Sequence, residues 1–211
     1  MITHALIILQ KELEAHLIEV YGPINLKKVI LGNMAEGINS GSTAGMIDRD
    51  KLVFTVVNIK EEKALKNLPA YVRNDSALSV SYENPPVFVN LLLLVTATHT
   101  LYDNATLDLS RTIRYFQHKN VFTPDTVAPT SMDISSPVTE HDQLETFKLI
   151  LDLYSPSLEE VNHLWGTLGG KQYPFVLYML RMLDLKYKAV TKESGLITEV
   201  FSDFYHKNGR N

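Results

Sequence analysis

Residues 87–98 read VFVNLLLLVTAT, and Asn90 is their only polar side chain before Thr96. A strand with one wet face alternates apolar and polar residues, whereas this stretch is apolar at consecutive positions. It therefore predicts a central strand covered on both faces. It is far shorter than the roughly 18 to 20 apolar residues that span a bilayer, so it reads as core and no membrane segment is expected. Asn84-Pro85-Pro86 precedes it and holds the chain extended on entry. Beyond it, Tyr102, Thr106, Leu109, Ile113 and Phe116 recur at spacings of four and three, which predicts an amphipathic helix. Asp103 and Asn104 offer N-cap oxygens, and Arg114, His118 and Lys119 suit the negative end of its dipole.

Upstream, Lys60 to Glu83 is mixed and charged and reads as a long loop open to partner contact. Leu26 to Leu31 and Lys51 to Ile59 have strand composition, and the glycine-rich stretch between them, GNMAEGINSGSTAGMIDRD, reads as a long hairpin connection. In the first twenty residues Ile2, Leu6, Leu9, Leu13, His16 and Val20 form the seam of a helix ended by Gly22-Pro23. His16 on that seam reads as a packed or edge histidine.

Downstream, a Pro/Thr/Ser-rich loop from Thr123 to Thr139 leads to a strand expected over Gln143 to Leu153, with Phe147, Leu149, Leu151 and Leu153 on one face. Ser157 and Glu160 then have the spacing of a capping box, in which each side chain satisfies a backbone N–H at a helix start. The short helix carries Leu158, Val161, Leu164, Leu168 and the single tryptophan, Trp165, on its apolar face. Gly169-Gly170 supply the backbone freedom to stop it, and Pro174 sets up a strand from Phe175 to Leu185. The elements describe an α/β (mixed α+β) fold: one mixed sheet with about three flanking helices. The expected division is a domain over residues 1–187 and a C-terminal appendage over 188–211. In the appendage Leu196, Ile197, Val200, Phe201, Phe204 and Tyr205 share one helical face, a candidate docking face for a partner.

The bulk properties exclude several functions. A net charge of -4 and a pI near 6.0 provide no basic field, so nucleic acid is not an expected partner. The absence of cysteine removes disulfides, thiolate metal sites and cysteine nucleophiles, and fits a reducing compartment. The N-terminus lacks the basic region and small-residue cleavage site of a secretory signal, so export by the general route is not expected. GSTAG, Gly41 to Gly45, has the glycine spacing of a nucleophile elbow with Thr43 at its centre, but no close strand-turn-helix surrounds it. The seven histidines are scattered without metal-ligand spacing. No catalytic constellation, metal or cofactor is expected, and a hydrolase using Thr43 remains only as a rival reading.

Three stretches taken together, ENPPVFVNLLLLVTA (83–97), LSRTIRYFQHKNVFTP (109–124) and LETFKLILDLYSPSLEEVNHLWGTLGGKQYPFVLYMLRML (144–183), resemble the cap or tail-terminator proteins of extracellular contractile injection systems. These are phage-tail-like particles of the antifeeding-prophage and Photorhabdus virulence cassette type. The most specific part is Ser157 to Leu183, where S-L-E-x-x-N-x-L-W-x-x-L-G-G-K runs into P-x-V-L-Y. The resemblance implies a tail-terminator-like subunit that forms a homo-hexamer on the last ring of the inner tube protein and engages the sheath protein. It implies assembly in the cytoplasm, as part of a particle open to release from the cell. A baseplate or sheath-associated adaptor of the same particle is the rival within that resemblance. Trp165 then has two readings, a wedge packing the short helix on the sheet or an interface anchor. Gly169, Gly170 and Pro174 are geometric under either, and Tyr178 completes the structural or interface motif.

Overall fold

A computed structural model describes residues 1–22, 28–39, 47–65, 69–74, 76, 79–133, 139, 142–186 and 192–195. Its core is a six-stranded sheet in the order β1-β4-β7-β10-β9-β8, built from β1 (Val29–Leu31), β4 (Leu52–Glu61), β7 (Val87–Ala97), β10 (Phe175–Leu185), β9 (Leu149–Tyr154) and β8 (Val121–Phe122). β7 lies inside the sheet between the two long strands β4 and β10 and pairs antiparallel with both. The pleat divides its side chains. Leu91, Leu93, Val95 and Ala97 enter a large core with helices α1 (Ile2–Tyr21) and α2 (Tyr102–His118), whereas Leu92 and Leu94 enter a second core beneath helix α4 (Leu158–Thr167). The unbroken apolar run of β7 is thus explained by cover on both sides.

Sheet and helices follow the expectation of a mixed fold, with one-turn helix α3 (Pro129–Met132) as a fourth helix. Several local readings need correction. β1 and β4 pair parallel, with Val29 opposite Leu52, so residues 32–51 form a crossover and not a hairpin connection. That crossover holds the short parallel pair β2 (Ile38–Asn39) and β3 (Ile47–Asp48). The presumed loop of residues 60–83 contributes β5 (Tyr71–Asn74) and β6 (Ser79–Tyr82), which pair antiparallel. They form a separate three-stranded sheet, β11-β6-β5, with β11 (Lys192–Gly195). The strand expected from Gln143 begins only at Leu149; Leu149, Leu151 and Leu153 share one face of it as expected, but Leu153 lies beyond the cover of the core and is 57% exposed.

Both long helices form where expected but present different faces. α2 buries Ala105, Asp108, Leu109, Thr112, Tyr115 and Phe116, while Tyr102 is 70% exposed and Ile113 also faces out. Its N-cap is Leu101, without a side-chain cap; Asp103 serves only as an acidic residue of the first turn. α1 buries Leu6, Leu9 and Leu13 together with Ile8, Leu17 and Glu12, but Val20 is exposed. His16 is half-buried and its ring lies against Tyr115, 4.6 Å between centroids. The loop residue Thr43 and the docking candidates Leu196, Val200, Phe201 and Phe204 fall outside the described residues.

Candidate assembly site

The helix-to-strand motif begins with the capping box read from the sequence. Ser157 Oγ accepts from the Glu160 N–H at 3.2 Å, and the Glu160 carboxylate accepts from the Ser157 N–H at 2.8 Å. The same carboxylate accepts from the Tyr154 hydroxyl at 2.8 Å, which ties the start of α4 to the end of β9. The Ser157 N–H and the Tyr154 hydroxyl hold the Glu160 carboxyl below its usual range. One more helical turn brings Trp165 down onto the sheet, where it is 4% exposed. Its indole packs against Phe175 at 5.4 Å and Tyr173 at 6.1 Å, within the core that holds Leu94 and Leu177. The helix end is set by the backbone: Gly170 donates to the Trp165 carbonyl at 2.7 Å. Gly169 and Gly170 have φ of +99° and +78°, where an L side chain is strained. A Cβ at either would meet nothing within 4 Å, so the requirement is for the dihedral and not for space. Pro174 then accepts from the Ala97 N–H at 3.0 Å, joining the start of β10 to the end of β7.

Tyr178, the last residue of the motif, is not beside Trp165. It projects from the other face of β10 into the α1/α2 core, edge-on to Phe116 at 5.1 Å, and burial pushes its hydroxyl up to about 12. The five motif residues therefore form one connection that threads both cores rather than a cluster around a ligand. At the start of the same helix, two turns from the indole, Leu158 is 78% exposed. Beyond α4, the same sheet face carries the Arg181–Asp152 pair at 2.8 Å and the Asn90 amide donating to Glu62 at 2.8 Å.

A buried ion cluster that no sequence pattern announces lies at the C-terminal end of β7. Asp108 on α2, with its side chain only 4% exposed, receives Lys28 Nζ at 3.3 Å, His99 Nε2 at 3.1 Å and Arg111 Nη1 at 3.1 Å. Burial works to raise this carboxyl, but the hydrogen bond from His99 and the charge of Lys28 outweigh it and hold it below the usual range. Arg111 also lies over the Tyr21 ring at 4.1 Å. The cluster joins the end of α1, the entry to β1, the exit of β7 and α2. Among the described residues no group of histidines and carboxylates could hold a metal ion. None of the described helices is long and apolar enough to cross a membrane.

The model of the Pvc16 N-terminal domain matches residues 6–199. The chain belongs to the Pvc16 N-terminal domain family. No curated protein matches it in sequence. Among solved structures, this Pvc16 N-terminal domain is similar to the sheath/tube terminator of an extracellular contractile injection system, PVC, in its extended state, at a TM-score of 0.63 and 13% identity. That alignment covers 100% of this chain and 65% of the terminator, so the chain spans about two thirds of the protein it matches. The anti-feeding prophage tube-terminating cap aligns at a TM-score of 0.49 and 14% identity, over 73% of this chain and 49% of that one. The family is the one that the motif in Ser157–Leu183 resembles, and the shared fold runs through the whole chain.

Proposed function

We propose that this Pvc16 N-terminal domain is a structural subunit of a cap that ends the inner tube of a contractile injection particle. It has no catalytic role. It assembles as a homo-hexameric ring on the last tube ring, with one surface on the tube protein and another on the end of the sheath. Closed cyclic symmetry matches a six-fold tube with a single type of contact repeated around the axis. The observation that carries this reading is the family match over residues 6–199, supported by a fold shared over the full chain with the PVC sheath/tube terminator. The subunit divides into a cap domain over 1–187 and an appendage over 188–211. The strand Lys192–Gly195 lies on β6, and Leu196, Val200, Phe201 and Phe204 are the positions by which the appendage docks on a partner. Trp165, Gly169, Gly170, Pro174 and Tyr178 act by holding α4 at a fixed angle on the sheet, so that its outer side is presented to a neighbour. Assembly takes place in the cytoplasm, before any release of the particle.

The direct test is polymerisation of the tube protein with and without the purified chain, with tube lengths measured in electron micrographs. Capping arrests growth and places density of the chain at one tube end. Unchanged lengths with bare ends at saturating chain would overturn the proposal.

A further inference from the structure

His4, in the first turn of α1, is 2% exposed and is used by no part of the assembly surface. Its Nδ1 accepts a hydrogen bond from the backbone N–H of Leu144 at 2.7 Å, a contact between residues far apart in sequence. An acceptor nitrogen carries no proton, so the neutral ring holds its proton on Nε2. That atom is buried on the side of the Met132 carbonyl without making a hydrogen bond of acceptable geometry. A second proton could go only to Nδ1, where the Leu144 N–H already points.

We propose that His4 is an acid-released latch: protonation ejects the Leu144 amide and frees residues 142–147 from the start of α1. The charges facing the ring oppose a positive charge on it. From α1 these are the Met1 ammonium and Lys11. Lys11 is held across the helix pair by the carbonyls of Thr130 and Asp133, and the Met1 ammonium by the carbonyl of Asp142. From the 142–144 segment, the Asp142 carboxylate acts on the Met1 ammonium. Glu12, two turns along α1, is taken up by Lys119 Nζ at 2.6 Å and the Ala128 N–H at 2.8 Å. Burial first, and then the Met1 ammonium, hold His4 below the usual histidine range. The segment released is the one that seats Leu144 and Phe147 in the main core just ahead of β9. The latch thus couples pH to the attachment of the outer strands of the sheet.

The sign follows from linkage. A histidine that is neutral when latched and ordinary when released contributes its stabilisation above about pH 6.5, and loses it as pH falls from there towards its latched value. Hydrogen exchange of the full chain measures this at the Leu144 amide, corrected for the intrinsic pH dependence of exchange. Protection should fall by up to about tenfold per pH unit below 6.5, while amides in the centre of β7 keep theirs. In His4→Asn, whose side-chain oxygen can accept from Leu144 without titrating, the dependence should vanish. Equal pH responses in both proteins would overturn the latch. So that a poorly folding variant does not decide the matter, the His4 ring is also followed by nitrogen NMR in the unmodified chain. A neutral ring with its proton on Nε2 at pH 6.5 is expected, and a ring that is mostly charged there contradicts the proposal.

Discussion

Single side chains divide here into those that hold elements together and those that are held. Trp165 is the first kind: its indole fills the space between α4 and the strands carrying Leu94 and Leu177. Trp165→Ala should destabilise the chain by about 3 to 5 kcal/mol, the usual cost of removing a large buried aromatic, as read by denaturant unfolding. An unchanged midpoint would leave the indole as an interface anchor only. Asp108 is the stronger case for charge. Asp108→Asn leaves Lys28 and Arg111 facing a neutral amide in a buried site, and a loss of about 3 to 5 kcal/mol is expected. Because the folded carboxyl is held below its ordinary value, its contribution is complete above about pH 4 and fades as pH falls through the folded value. The acid limb of a stability-against-pH curve should therefore flatten in the variant. Asp108 escaped the sequence reading because an aspartate on a helix is normally solvated, and the partners that make its burial possible come from residues 28, 99 and 111.

Elements that terminate themselves were legible; elements defined by distant pairing were not. The span of α4 and the start of β10 were readable because Ser157, Glu160, Gly169, Gly170 and Pro174 act on their own neighbourhood. The parallel pairing of β1 with β4 and the small sheet of β5, β6 and β11 depend on partners that no local pattern names. Four-residue strands with exposed Tyr71, Val72 and Tyr82 give no periodicity to detect. α2 was found but turned, since Asp108 and Thr112 occupy buried positions that a hydrophobicity pattern assigns to solvent; the Thr112 hydroxyl is satisfied by the Asp108 carbonyl at 2.8 Å. Two tests belong to this scale. Ser157→Ala should cost about 1 kcal/mol through loss of the N-cap acceptor. Gly170→Ala should cost about 1 to 2 kcal/mol from its positive φ alone, while Gly170→Asn, a residue that tolerates that conformation, should cost less. Thermal melts of the three variants order these effects, and equal melting of the Ala and Asn variants would argue against a dihedral origin.

At the scale of the molecule, a sheet whose central strand is buried on both faces, clamped by α1 and α2 on one side and α4 on the other, is a stiff block. A ring subunit needs such rigidity, because a small error in the angle between neighbours accumulates around a closed ring. The family match and the PVC terminator fold make the cap reading the economical one for that block. A cap of this kind requires the chain to close into a ring on a tube end. Electron microscopy of the purified chain mixed with tube protein tests it most directly. Six-fold rings seated on one end of tubes that have stopped growing are expected, whereas a chain that stays monomeric beside elongating, bare-ended tubes would overturn the cap reading.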